Sequence, residues 1–274
     1  MVIKKWFKDP KIDTKTHFNV IKIGENNICD DEIKEFLNKE ILDSYIGIDT
    51  LIRNYSTKDK KVLIDFLENN VLPSKSELYR VWQGDLGEII SKLLVSYFFG
   101  LEVPATKLKL KTNKDKSVFG TDMISHNKGK DIKDWYYYEI KTKQDLLKKD
   151  YKITGNPRYI TVVAYDGLKN DLSKNSGAIA TFLGKLYEMK ENYDKSKVYL
   201  DIADGSKIIN KNYEIFIIGE TSTYKDDIIT ALENISPDLK PLNVTIILID
   251  GFKGLVDDLR NKVLIDAEKI VYTK

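Results

Sequence analysis

One cysteine, two histidines and four arginines are all that the 274-residue chain holds of those types. A lone Cys29 closes no internal disulfide and builds no thiolate metal site, which leaves it a packing role. His17 and His126 are too few for a zinc centre built on histidine clusters. No apolar run approaches the roughly 18 residues that cross a bilayer, and the start "MVIKKWFKDPKIDTK" has no signal-peptide core, so a cytoplasmic protein is expected. The shortage of arginine argues against extensive base-specific reading of nucleic acid, because bidentate contacts to guanine favour its guanidinium. Net charge is only +2, so affinity for an anionic polymer has to come from local clusters of lysine. Chemistry is left to carboxylates, lysines, hydroxyls and backbone.

What the chain does have is a change of hydrophobic period. Residues 1–75 read as an N-terminal α+β region: a strand near Phe18 to Ile23, then helical spacing in "DDEIKEFLNKEILDSYI" and "KDKKVLIDFLENNVL". Pro73 in "LPSK" interrupts the pattern and marks a joint. Residues 76–274 then form a second unit. It begins with the strongest helix, "SELYRVWQGDLGEIISKLLVSYFF", whose apolar face is Leu86, Ile89, Ile90, Leu93, Leu94, Tyr97 and Phe98, with Gly100 placed as its C-cap. "KLKLK" at 107–111, "SVFGTDMI" at 117–124, "WYYYEIKTK" at 135–143 and "RYITVVAY" at 158–165 read as strands. Helices and strands alternate from there to the end, which predicts an α/β fold with a central mixed sheet flanked by helices.

"WYYYEIKTK" carries an acid and a base on one edge. Alternation puts Tyr137, Glu139 and Lys141 on one face and Tyr136, Tyr138 and Ile140 on the other. Such a face can simply be solvated or salt-bridged. Its neighbour makes it more interesting: a hairpin around "HNKGKDIKD", centred between Lys130 and Asp131, puts Asp122 opposite Glu139, with Cβ atoms about 5 Å apart. Facing carboxylates need a cation between them, and ligation by oxygen without histidine suits Mg²⁺ or Mn²⁺. Gly120 would let backbone or substrate approach closely. A third acid, Glu88, lies on the strong helix nearly opposite its apolar stripe, where it is either solvated or turned toward the site; Asp85 is the alternative on the same turn.

A helix glutamate, then "GTD" ending one strand, then "EIK" on the next, resembles the PD-(D/E)xK nuclease superfamily in order and spacing, with Thr121 where the namesake proline stands. The ordered set "LGEII", "KLKLKT", "VFGTDMI" and "YYEIKTK" is similar to the HamA nuclease family, the effector of bacterial Hachiman anti-phage defence. The likeness is clear over about residues 84–145. It implies a restriction-endonuclease-like core and a catalytic set of Glu88, Asp122, Glu139 and Lys141. In that set Asp122 and Glu139 would hold one or two Mg²⁺ or Mn²⁺ ions, Glu88 would complete the shell, and Lys141 would offset charge developing on the phosphate. It implies too a helicase subunit as partner, HamB-like, and nucleic acid as substrate, with DNA favoured over RNA.

Lys107, Lys109 and Lys111 share one face of "KLKLKTNKDK", and Lys143 follows Lys141 on its face. These four are candidates for phosphate contacts of the salt-dependent, sequence-independent kind. The lysine row would equally protect an edge strand from aggregation, and Lys143 could be merely solvated. The expected function is a metal-dependent nuclease acting with a helicase in defence. A free-standing restriction-type endonuclease, or an inactive binding protein that keeps the nuclease fold, are the alternatives. Residues 1–75, lacking site motifs, are the candidate partner surface.

Overall fold

The computed structural model describes residues 2–74, 79–105, 108, 111, 114, 121–129, 131–150, 158–175 and 177–273. Runs of β-branched and aromatic residues pair into one six-stranded sheet: β1 (Lys11–Thr14), β2 (Asn19–Gly24), β3 (Met123–His126), β4 (Asp134–Lys143), β5 (Asn210–Glu220) and β6 (Leu242–Ile249). The spatial order is β1-β2-β6-β5-β4-β3. β2, β6, β5 and β4 run parallel, while β1 and β3 add antiparallel edges. The expected mixed sheet flanked by helices is what forms.

Strands buried on both faces read as near-continuous apolar runs, and the four parallel strands do so. One face takes Ile23, Tyr138, Ile140, Phe216, Ile218 and Ile247. It packs against α1 (Val2–Trp6), α2 (Asp31–Tyr45), α3 (Ile48–Tyr55), α4 (Lys60–Phe66), α5 (Tyr79–Tyr97) and the C-terminal helix. The other face takes Val20, Tyr137, Ile215, Ile217, Val244 and Ile246. Over it lie α6 (Ile160–Asn175), α7 (Ala178–Met189), α8 (Tyr193–Ala203) and α9 (Asp227–Asn234). The C-terminal helix is α10 (Phe252–Tyr272). Among the described residues no helix is long and apolar enough to cross a membrane.

Residues 2–74 contribute to the same sheet and core as the rest of the described fold. β2 pairs with β6 over six positions, Asn19↔Asn243 to Gly24↔Leu248. Leu63, Leu67 and Leu72 share one core with Trp82, Leu86 and the α10 residues Leu259 and Val263. Cys29 is half-buried against this core, and burial pushes its thiol up to about 12. Packing is thus its role, as expected.

One strand expectation is corrected, and another lies mostly outside the described residues. "RYITVVAY" is not a strand: from Ile160 it is the first part of α6. Its run of Ile160, Thr161, Val162 and Val163 has high β propensity, but tertiary packing overrides propensity. Ile160, Ala164 and Leu168 recur every four residues on the buried face, a helical period that shows only when "DGLKNDL" is included. "KLKLK" falls mostly outside the described residues, Lys107, Lys109 and Leu110 included. Where it is described it turns: Leu108 is buried, and the Lys111 amide donates to the Leu108 carbonyl at 3.4 Å.

A polar row crosses the sheet beneath the parallel strands. The Asn19 amide donates to Asn243 Oδ1 at 3.0 Å, and the Asn243 amide to Glu214 Oε1 at 2.7 Å. Glu214 is 6% exposed. Burial pushes its carboxyl from 4.5 up to about 8, with the Asn243 hydrogen bond pulling the other way. The folded protein therefore keeps a proton that the unfolded chain releases above about pH 4.5. Stability falls as pH rises from there to about 8, by up to about 1.4 kcal/mol per unit. Glu214→Gln is expected to flatten that fall, read from urea melts between about pH 5 and 8.

Candidate active site

β3 and β4 form the expected hairpin. Met123↔Tyr138, Ile124↔Tyr137, Ser125↔Tyr136 and His126↔Trp135 are partners, which is the register centred between Lys130 and Asp131. Asp122 is the residue just before β3. Its amide donates to the Tyr138 carbonyl at 3.1 Å, and its Oδ2 accepts from the Ile140 amide at 2.7 Å. The carboxylate thus takes the ladder hydrogen bond that the next strand residue would have made. That bond fixes it against β4 beside Glu139.

Glu139 and Lys141 share one face of β4, as alternation predicts. That face is not open to solvent: Glu139 is 5% exposed and Tyr137 3%. Tyr137 packs there, stacked on Tyr213 with ring centroids 6.1 Å apart and tilted against Trp135. Trp135 and Tyr137 join the core under α6, while Tyr138 and Ile140 anchor the opposite face. A parallel strand between two others is covered on both sides, so its polar residues are enclosed rather than displayed.

The Lys141 ammonium donates to Glu139 Oε1. Burial disfavours its charge, but Glu139, Asp122 and, further along, Asp171 outweigh that and hold Lys141 above its ordinary value. Glu139 is the carboxylate that the ammonium directly contacts. α6 comes close enough to seal Glu139 because residue 167 is glycine: a Cβ there would lie 2.6 Å from Glu139 Oε1 and 3.0 Å from its carboxyl carbon. On the other face of β4, α5 approaches through Gly87, where a Cβ would lie 3.2 Å from Thr142 Cβ and 3.3 Å from Ile218 Cδ1. These two glycines press a helix onto each side of the strand that carries Glu139 and Lys141.

Glu88 follows Gly87 and is half-buried. The helix around it is packed more completely than its apolar stripe suggests: Gln83, Asp85, Ser91 and Val95 are buried too. Among the described residues no three His, Cys, Asp or Glu side chains converge closely enough to hold a metal ion. Asp122 and Glu139 come together around Lys141, and Glu88 is not gathered with them into such a set. Asp122 and Glu139 offer oxygen donors, the ligand type that a hard divalent ion such as Mg²⁺ or Mn²⁺ takes.

Asp85, the alternative to Glu88, is engaged elsewhere. It accepts from the Tyr45 hydroxyl and, at 2.5 Å, from the Lys111 ammonium. The Lys111 side chain is 5% exposed and lies against Asp85. The Lys143 ammonium pairs with Asp150 at 3.1 Å and donates to the Lys148 carbonyl. Lys107, Lys109 and Gly120 lie outside the described residues. His126 spends both ring nitrogens, on the Asn127 carbonyl and the Tyr199 hydroxyl, each at 2.8 Å.

Gly167 and Asp171 were missed by sequence reasoning, because α6 was read as a strand that ended at Tyr165. The signal that could have found them is the four-residue period Ile160, Ala164, Leu168, which puts Gly167 on the helix side turned to the sheet.

No curated protein matches the chain at a significant level. The HamA family matches it over residues 1–264, across the N-terminal region as well as the site. The chain belongs to the HamA family and is a component of Hachiman anti-phage defence.

Proposed function

We propose that this HamA protein is a metal-dependent nuclease that cleaves phosphodiester bonds, in DNA before RNA, and works with a helicase subunit. The observation that carries the reading is the meeting of Asp122, Glu139 and Lys141 at one end of the β3–β4 hairpin. Two carboxylates and a lysine in that arrangement suit phosphoryl transfer and little else in this chain. Asp122 and Glu139 would hold the divalent ion. When bound, that ion supplies Lewis-acid activation of a water and of the scissile phosphate.

The remaining work falls to the chain. Ile140, through its amide, keeps Asp122 from turning away from β4. Gly167 and Tyr137 exclude water from the buried side of Glu139, which strengthens its interaction with any cation. Lys141, about a third exposed at its side chain, keeps its charge and reaches toward solvent, where it can stabilise charge building on a phosphate oxygen.

Lys111 and Lys143 are engaged in ion pairs, and net charge is only +2. Both facts support a substrate delivered by a partner rather than captured by this surface alone, and a DNA-translocating helicase supplies such delivery. The test is supercoiled plasmid incubated with the protein, alone and with its co-purified partner, in Mg²⁺ or in EDTA. Nicked or linear product in Mg²⁺ that EDTA prevents is the expected result. No product under any of these conditions overturns the nuclease reading.

A further inference from the structure

The outer edge of the sheet is open at β1. All four of its residues are exposed, Ile12 at 69%. The Lys15 amide donates to the Phe18 carbonyl at 2.9 Å, across the turn that joins β1 to β2. That bond fixes the phase of the ladder, because facing residues alternate between pairs that exchange both hydrogen bonds and pairs that exchange none. Lys15, Asp13 and Lys11 therefore spend their amides and carbonyls on Phe18, Val20 and Lys22, whereas Ile12 and Thr14 direct theirs outward. The side chains alternate as well, with Lys11 and Asp13 on one face and Ile12 on the other.

A second copy of the same strand fits this edge. With a two-fold axis at Ile12, the two outward Ile12 residues face each other and exchange N–H···O=C bonds, and their exposed side chains cover one another. Lys11 of each copy then stands opposite Asp13 of the other, at a position of the kind where facing side chains come closest. Sliding the strands by two residues keeps the hydrogen-bond phase but sets Asp13 against Asp13 one way and Lys11 against Lys11 the other. Like charges directly opposite are destabilising, so charge selects one register. Pro10, opposite Thr14 in that register, has no N–H to give, and the ladder ends there. We propose that β1 is a homodimer edge, pairing antiparallel about Ile12 with β1 of a second copy to join two six-stranded sheets into one. A ladder this short falls below the roughly 1,200 Å² that stable interfaces bury, so the dimer is reversible and depends on concentration.

The experiment is sedimentation velocity of the full chain at low ionic strength, from micromolar to several hundred micromolar protein. Wild type is expected to pass from monomer to dimer across that range. Lys11→Glu and Asp13→Lys each set like charges opposite and are expected to weaken self-association at least about tenfold. Mixed together, these two variants are expected to form a heterodimer, because each supplies the charge that the other lacks. The doubly swapped chain, Lys11→Glu with Asp13→Lys, is expected to recover wild-type pairing. Ile12→Pro removes the central donor while leaving the bonds to β2, and is expected to abolish the dimer with circular dichroism unchanged. A wild type that stays monomeric at every concentration overturns the proposal. So does a dimer that Lys11→Glu and Ile12→Pro leave intact, which would lie on another surface, or failure of both the mixture and the swapped chain to associate. Protection of the Ile12 amide from hydrogen exchange only when a different protein is bound also overturns it, giving the edge to that protein's strand.

Discussion

Glu139→Gln is expected to reduce Mg²⁺-dependent plasmid cleavage at least about a hundredfold while leaving the fold intact, a loss of the size seen when one transition-state contact is removed. Glutamine keeps the shape that Gly167 accommodates, so the α6–β4 contact survives. It brings no negative charge, and charge is what Glu139 offers both to a divalent ion and to Lys141. The lysine left behind is not stranded: its side chain is 34% exposed, so the ammonium reaches water and the stability change is expected to stay under about 1 kcal/mol. Activity and stability therefore part company at this residue. Gel quantification of nicked and linear plasmid gives the first, and urea melts the second. Cleavage by the variant at the wild-type rate would remove Glu139 from the reaction.

Much of this site is legible in the sequence because strands obey a rigid rule. A period of two residues fixes which side chains share a face, so Tyr137, Glu139 and Lys141 follow from the order of letters. The hairpin register follows from centring the polar loop, and it placed Asp122 beside Glu139 correctly. Helices over the sheet are harder to foresee. Nothing local in "RYITVVAY" distinguishes a buried strand from the apolar face of a helix, since both want Ile, Val and Tyr. Only the sheet below decides, and with it went Gly167 and Asp171. Burial of the polar face was also hidden. Sequence alternation shows that Glu139 and Tyr137 share a side, but the parallel pairing with β5 and the crossover through α6 are what cover that side. The surroundings of Lys111 are hidden for a third reason. Lys111 carries the same letter whether it meets water, phosphate or Asp85, and the choice is made by a helix 26 positions earlier in the chain.

That last pair carries the largest stability effect expected in the molecule. Lys111 and Asp85 are 5% and 8% exposed and 2.5 Å apart. Burial pushes the Asp85 carboxyl up, against the pull of Lys111 and Tyr45. Asp85→Ala would leave the Lys111 ammonium enclosed without its counter-charge, at a cost of about 3–5 kcal/mol. At this chain length that lowers the melting temperature by roughly 10 °C. Lys111→Met strands the carboxylate instead, but Asp85 can take up a proton and keep its hydrogen bond to Tyr45. Its penalty is accordingly smaller and shrinks as pH falls, because the raised carboxyl protonates more readily in the folded protein than in the unfolded chain. Combining Lys111→Met with Asp85→Asn removes both charges and is expected to recover most of the loss, since replacing a buried ion pair whole is often close to neutral. This double variant also settles what Lys111 does for substrate. A lysine bound to phosphate contributes about 0.9 to the slope of log affinity against log salt for duplex DNA. Spent on Asp85, it contributes nothing, so the double variant and the wild type are expected to show the same slope in DNA binding measured across a salt series. A slope smaller in magnitude by about 0.9 would return Lys111 to the nucleic-acid surface and make its burial against Asp85 a state that substrate breaks.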